Sequence, residues 1–528
     1  MKSNFFKYLF IVFVIGIMIF AIYKIKVDEN NNNQTQDQVS EQETNKVLEI
    51  NLGIAQFDTI NPILSNNKNV QDVTKLIYEP LIDIDENYKA TQCLATQWAK
   101  QGNSYIIKLR QGVKWTDGSE FTSNDVKYTI DRLKEITSIY SYNVADVTGV
   151  DIIDNYTIKI SLNKEISFFE YNLSFPIMSA NYYGSTAFSD ANKNLAPIST
   201  GKYRISDVED GKIVLVKNTN WWDIQKTNLL LEKINLTKYA SLGELYNAFK
   251  IGNVDVVSTS NENLKQYIGT IGYNAKELKG REHDFLALNE KNTFLSQQEV
   301  RKAIAYSLDK ENIVSSIFNN QYYTSSFPLD YGNWVYQNQS SSAGYNPEQG
   351  KQVLVDQGWN YRNKYWQKTV NYRAQKLTLN LLVKASDATR VSVADNIKGQ
   401  LENEGIRINI IQASDAQYNA SINSGNYDIA LCSIYLSPSP SLETFFGENN
   451  IANYVNNEVT EILKEINNTT DENVIKTKYQ KLGEIYKNDV PYISLYTNKY
   501  NVVYNTSLTG DIDPNWFNSF YHVEGWSK

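Results

Sequence analysis

The sequence predicts an α/β protein with more than one hydrophobic core, and three observations carry that reading. From residue 376 onward, KLTLNLLVK, ATRVSVADNIKGQLENEG, IRINIIQAS, DAQYNASINSG and YDIALCSIY alternate two-residue and 3.6-residue apolar periods with short links. That order predicts strand–helix–strand units and a largely parallel sheet. The chain has 528 residues, and a single core stops growing at about 250–300. Apolar residues make up 42% and aromatic residues 12%, enough to fill interiors and still leave rings to line wetted surfaces.

The elements follow in order. Residues 8–23, YLFIVFVIGIMIFAIY, are continuously apolar between Lys2 and Lys7 on one side and Lys24 and Lys26 on the other. As a helix they span about 24 Å, which suits a signal segment or a short membrane span. No small-x-small site follows Tyr23 and no cysteine offers a lipid anchor. An uncleaved signal-anchor over 1–27 is therefore expected, placing the body on the extracellular face of the cell membrane, with secretion after cleavage as the alternative. Residues 28–46, DENNNNQTQDQVSEQETNK, hold one aliphatic side chain, Val39, and read as a polar tether. The folded body is expected from Val47.

Within the body, VLEINLGIAQFDTINP predicts a strand running into an Asn-Pro turn, and VQDVTKLIYEPLI a helix ending at Pro80. SYIIKLRQGVKWTDGSEF predicts a strand and two turns, Asp117-Gly118 forming the tighter one, with Trp115 and Phe121 bulky enough to pin it to a core. TSNDVKYTIDRLKEI is a helix with Thr122 or Ser123 at the N-cap and Asp125 in the first turn. TIKISL, KIVLVKN and VDVV are strands, and LGELYNAFKIG is a helix with Gly252 near its C-cap. HDFLALNE is a strand leading into one long helix, QQEVRKAIAYSLDKENIVSSIF, and NPEQGKQVLVDQGW is a capped helix. NVIKTKYQKLGEIYKND is the last helix, closed by Pro491, and YISLYTNKYNVVYN returns as strand.

Composition excludes several functions. A net charge of −8 with no basic stripe argues against nucleic-acid binding. Cys93 and Cys432 are the only cysteines, so no disulfide framework is expected. His283 and His522 are the only histidines and have no metal-ligand spacing. No cofactor or metal is expected, and no catalytic residues are assigned, because no Gly-x-Ser-x-Gly elbow or Cys-His pair in suitable context is present.

Several ordered motifs carry a resemblance. SYIIKLRQGVKWTDGSEFTSNDVKYTIDRLK at 104–134, LALNEKNTFLSQQEVRKAIAYSLDKENIV at 286–314, Tyr-Glu-Pro-Leu at 78–81, YNPEQGKQVLVDQGW and GNYDIAL are similar to segments of the extracellular solute-binding protein family 5, the substrate-binding proteins of peptide, oligopeptide and nickel-type ABC transporters. The resemblance spans the chain from about residue 47. It implies a two-lobed class II periplasmic-binding-protein-like clamshell, with lobe I over 47–286 and 490–528, a subdomain inserted at about 65–200, and lobe II over 287–489. The hinge would lie in the crossings near 283–289 and 489–497. The function implied is hinge closure on a peptide or peptide-like ligand and delivery to ABC permease subunits. A receptor for a sugar, metal chelate or other non-peptide solute and a transport-independent sensor remain alternatives.

Peptide-binding members of that family carry a segment resembling Gly-Trp-Cys-Ala-Asp-Tyr-x-x-Pro, whose Asp pairs with the ligand's amino group. Aligned on Cys432, Tyr435 and Pro438, this chain has Leu431 for the Trp and Ile434 for the Asp. The stretch LCSIYLSPSPS is therefore expected to form an apolar cleft rim through Leu431, Cys432, Ile434 and Tyr435. A ligand ammonium would need another acid, with Asp415, Glu443 and Glu448 nearby in sequence. The resemblance also assigns Gln56 and Phe57 on the exit of the first strand, and Tyr140 and Tyr142 in the inserted subdomain, to ligand binding. Arg301 could clamp a carboxylate or pair internally.

Overall fold

A computed structural model describes residues 48–528, apart from 185–187, 189, 191–192, 195, 210, 261–271, 337–343 and 371. The expected signal-anchor, tether and Val47 lie outside the described residues. Among those described, no helix is long and apolar enough to cross a membrane.

Ten strands, numbered in chain order, form the path of the main sheet: β1 (Glu49–Ala55), β2 (Tyr203–Glu209), β3 (Lys212–Lys217), β4 (Lys233–Tyr239), β5 (Val256–Thr259), β6 (Tyr273–Leu288), β7 (Thr378–Lys384), β8 (Arg407–Ala413), β9 (Ile429–Tyr435) and β10 (Tyr492–Asn505). Their spatial order is β8-β7-β9-β6-β10-β5-β1-β4-β3-β2, with Tyr322–Thr324 pairing off β10. The sheet is mixed: parallel among β7, β8 and β9, where the alternation after residue 376 predicts it, and antiparallel in the middle. β7 is parallel to β8 and β9, and β1 to β4 and β5, because helices cross between them. The middle, β9-β6-β10-β5, is antiparallel.

β6 and β10 are long enough, at 16 and 14 residues, to run through both halves of the sheet. The crossings expected near 283–289 and 489–497 overlap these two paired strands. Their register shifts in the middle, so that Gly280, Arg281 and Glu282 bulge opposite Asn498. A Cβ on Gly280 would lie 1.9 Å from Asn498 Oδ1 and 2.6 Å from its carbonyl oxygen. Only glycine fits there.

Alternation along the strands sorts side chains to the two faces. Leu286, Leu288, Leu381 and Leu431 join the helices Gln298–Tyr306, Lys310–Phe318 and Ala388–Asn403 in one core. Phe285, Ala287, Ala430, Cys432 and Tyr492 form the other with helix Glu472–Asp489, and Ile84, Tyr88 and Tyr171 of the inserted region pack into it. A separate cluster around Ala55, Tyr246, Phe249, Val257 and Val503 serves the β1 end.

The inserted region holds an antiparallel sheet of Ala95–Gln101, Ser104–Leu109, Thr157–Leu162 and Val147–Asp154. Its helix, Ser123–Glu135, has Thr122 and Asp125 in a reciprocal capping box. Gly118, at φ +90°, closes the turn, while Trp115 and Phe121 are buried with rings 6.4 Å apart. Two helix expectations are corrected. The helix before Pro80 spans only Lys68–Thr74, capped by Asn67. The long helix after residue 297 breaks after Tyr306, where Asp309 accepts from the Asn312 amide and starts a second one.

Candidate functional site

Residues far apart in sequence meet where the strand bulge lies. Asn67 caps its helix and donates from Nδ2 to the carbonyls of Ala55 (2.8 Å) and Gln56 (3.2 Å), fixing the exit of β1. Gln56 is exposed at φ +52°, and Lys238 Nζ sits 4.2 Å from the Phe57 ring centre. One residue into the helix, Lys68 pairs with Asp72 and lies over the rings of Trp516 (4.9 Å) and Tyr500 (5.1 Å). Asp72 is buried, and its Oδ2 accepts from Ser519 Oγ (2.8 Å), Tyr500 OH (2.9 Å) and Ser258 Oγ (3.3 Å). Burial lowers the Lys68 ammonium pKa, with Asp72 opposing.

The next turn of the same helix holds Gln71, whose Nε2 donates to the carbonyls of Pro62 and Ser65 while its Oε1 accepts from Tyr140 OH. Tyr142 is 58% exposed, yet surrounding protein raises its phenol pKa by desolvation, with Arg281 opposing. Tyr435 is 65% exposed, and its ring meets Trp516 edge-on at 5.8 Å. Tyr140 and Tyr435 are thus joined through Gln71, Lys68 and Trp516.

Leu431 and Cys432 are placed elsewhere. Both are buried, one on each face of β9, so they back the wall as core residues and do not form its rim. Tyr418 OH donates to the Leu431 carbonyl (2.8 Å) and contacts Cys432 Sγ (3.3 Å), while burial pushes the Cys432 thiol up to about 12. Ile434 is half-buried against the same core. Asp415, Glu443 and Glu448 are all exposed.

Arg281, which the sequence reading passed over, explains how the stretch LSPSPS is held. It is fully buried in the bulge; its Nε donates to Leu436 O (2.9 Å) and its Nη2 to Ser437 O, while its own carbonyl accepts from Leu436 N (2.8 Å). Its guanidinium lies 3.6 Å from the Tyr331 ring centre, 5.3 Å from Phe517 and 5.5 Å from Tyr88. Arg281 Nη1 has no hydrogen-bond acceptor. Arg281 lies in the charged run KELKGREHD and so carried no signal of its own in the sequence, and neither did the tail residues Trp516 and Phe517.

Arg301 pairs internally, donating to Asp489 O (2.8 Å) and Leu295 O (2.7 Å) and meeting Glu290 at 3.2 Å. His283 is buried between Ser325 Oγ (3.5 Å) and Ser494 Oγ (3.3 Å), and burial lowers its pKa to about 3. No group of three or more His, Cys, Asp or Glu among the described residues could hold a metal ion.

The inserted region also touches the C-terminal half. Trp334 donates from Nε1 to Tyr171 OH (2.8 Å) and from its amide to Asn87 O (2.9 Å), Lys89 pairs with Glu472 (2.6 Å), and Lys100 Nζ donates to Asn467 O (3.2 Å). These contacts border a cavity of about 610 Å³ lined by Trp98, Tyr105, Phe168, Glu170 and Trp334 among others.

A clamshell of this kind has a counterpart among known proteins: the model for bacterial extracellular solute-binding proteins, family 5 Middle, matches residues 89–453. The chain belongs to family 5. The oligopeptide-binding protein AppA of Bacillus subtilis (strain 168) is 22% identical over 493 residues, covering 88% of this chain and 89% of that one. Heme-binding protein A of Haemophilus influenzae is 23% identical over 458 residues, covering 79% and 81%. The solved structure of the periplasmic murein tripeptide binding protein MppA, in its unliganded open form, matches with a TM-score of 0.73 at 19% identity, covering 91% of this chain and 97% of that one. These family 5 relatives are substrate-binding proteins and not enzymes. The fold is the two-lobed one of family 5 periplasmic binding proteins.

Proposed function

We propose that this family 5 protein is the extracellular receptor of an ABC importer, closing on a peptide or peptide-like solute and handing it to membrane permease subunits. Lobe I comprises 47–286 with 490–528, lobe II comprises 287–489, and the paired strands β6 and β10 bend between them. The observation that carries the reading is the chain of contacts that links Tyr140 of the inserted region, through Gln71 and Lys68, to Trp516 of the C-terminal tail and Tyr435 of β9. The reading assigns Gln56, Phe57, Tyr142 and Ile434 to the same ligand site, with Leu431 and Cys432 as core residues of β9.

Closure works as a population shift: a solute touching both lobes stabilises the closed form by contacts the open form lacks. An extended peptide presents a main-chain donor and acceptor at nearly every residue, so receptor backbone can grip it without reading side chains. The apolar run at 8–23 would anchor the chain on the outer face of the membrane. Ile434, where peptide binders of the resembled family place a carboxylate, favours a second reading as receptor for a non-peptide solute.

Thermal unfolding of the full chain with a library of two- to eight-residue peptides tests the proposal. Bound peptides should raise the melting temperature by several degrees through mass action, by about 2.7 kcal/mol at a hundredfold excess over Kd. No shift with any peptide would remove the peptide reading.

A further inference from the structure

We infer that the interlobe site receives an anionic group of its solute on the Lys68 ammonium, with the Arg281 guanidinium adding positive charge from behind the aromatic wall. The inference rests on the receptor reading and names the chemical class of its solute.

Lys68 keeps 28% of its side chain accessible, and its ammonium sits over Trp516 and Tyr500. Its carboxylate partner, Asp72, is 1% accessible and already accepts from three hydroxyl groups. Lys68 is therefore partly open to solvent, and Asp72 is held beneath it. Arg281 reaches this pair through Phe517, 5.3 Å from its guanidinium, whose ring centre is 5.2 Å from that of Trp516. No carboxylate pairs with Arg281 among the described residues, and its Nη1 is buried without an acceptor. A buried, uncompensated cation raises the positive potential of any nearby low-dielectric cavity.

Acids that could reverse this sign are engaged elsewhere. Glu282 and Asp284 bind Arg390, as does Asp387. Asp330 is 3.8 Å from Lys279 and accepts from the Ser326 amide. Asp85 accepts the amides of Asn87 and Lys89 within its own turn. Ile434 contributes no charge. Asp72, the acid nearest to Lys68, is buried and held by Lys68 and three hydroxyls, so a solute ammonium would meet no exposed acid there, whereas a solute carboxylate could share the exposed side of the Lys68 ammonium.

Two end-blocked tripeptides separate the alternatives by isothermal titration calorimetry on the full chain: N-acetyl-trialanine with a free carboxylate, and trialanine amide with a free ammonium. The acetylated acid should bind at least about tenfold more tightly, the worth of one charge-assisted hydrogen bond. Lys68→Met should erase that preference, and Lys68→Arg should keep most of it, which also checks that the site tolerates substitution. Equal or tighter binding of the amide, or an unchanged preference in Lys68→Met, would overturn the inference alone. Binding of neither probe would overturn it together with the peptide reading.

Discussion

Glu79, from the Tyr-Glu-Pro-Leu motif, offers a quantitative test of how the inserted region is joined to the rest. It is 7% exposed, and its Oε1 accepts from the Trp221 indole at 2.8 Å and the Trp222 indole at 3.0 Å. Burial raises its pKa from 4.5 to about 7, with the hydrogen bonds and Lys202 opposing. A folded pKa above the unfolded one means that the native state binds the proton more tightly. Stability from this group is present below pH 4.5 and is lost as pH rises through 7. At about 1.36 kcal/mol per pH unit, a shift of about 2.5 units corresponds to a loss of about 3 kcal/mol. Glu79→Gln keeps the shape and removes the titration. Guanidinium unfolding at pH 5, 6, 7 and 8 should show the variant gaining on the wild type by about 2.5 kcal/mol across the range, since part of the loss falls below pH 5. The difference between the proteins cancels every other titrating group. A difference that stays flat with pH would refute the reasoning.

Four further outcomes are expected. His283, with a folded pKa of about 3 against 6.5, is protonated more readily in the unfolded chain, so wild-type stability should fall as pH drops below 6.5, and His283→Gln should flatten that acid limb in the same unfolding assay. Trp115→Ala empties a fully enclosed ring site and should cost about 3–5 kcal/mol in denaturant unfolding. Trp334→Phe removes the indole donor to Tyr171, whose hydroxyl also accepts the Ala90 amide; losing about 1 kcal/mol at the seam should speed Ala90 hydrogen exchange roughly fivefold with little change in global unfolding. Cys93 and Cys432 are buried with raised thiol pKa values, so iodoacetamide at pH 8 should leave both unlabelled until denaturant is added.

Local chemistry made much of the fold legible. The Asp117-Gly118 turn, the Thr122 cap, the strand–helix alternation from β7 to β9 and the two strands that became β6 and β10 all follow from spacing and residue type. The mixed sheet did not, because pairing direction depends on which strands become neighbours, and β6 meets β10 across more than 200 residues of chain. The site was legible in part. Tyr140 and Tyr435 are linked through Gln71, Lys68 and Trp516, whereas Leu431 and Cys432 face the two cores because the strand alternates beneath both. Lys68 could not be singled out, since its role comes from Trp516 and Tyr500, supplied by the far end of the chain. Arg281 shows the converse: the sequence displays the charge, and only the fold shows that it has no acid.

Small-angle X-ray scattering on the full chain, with and without a solute shown to raise its melting temperature, tests the hinged-receptor account most directly. The account predicts a smaller radius of gyration and a shorter maximum dimension in the bound sample, as two lobes close about β6 and β10. Identical profiles at saturating solute would contradict it.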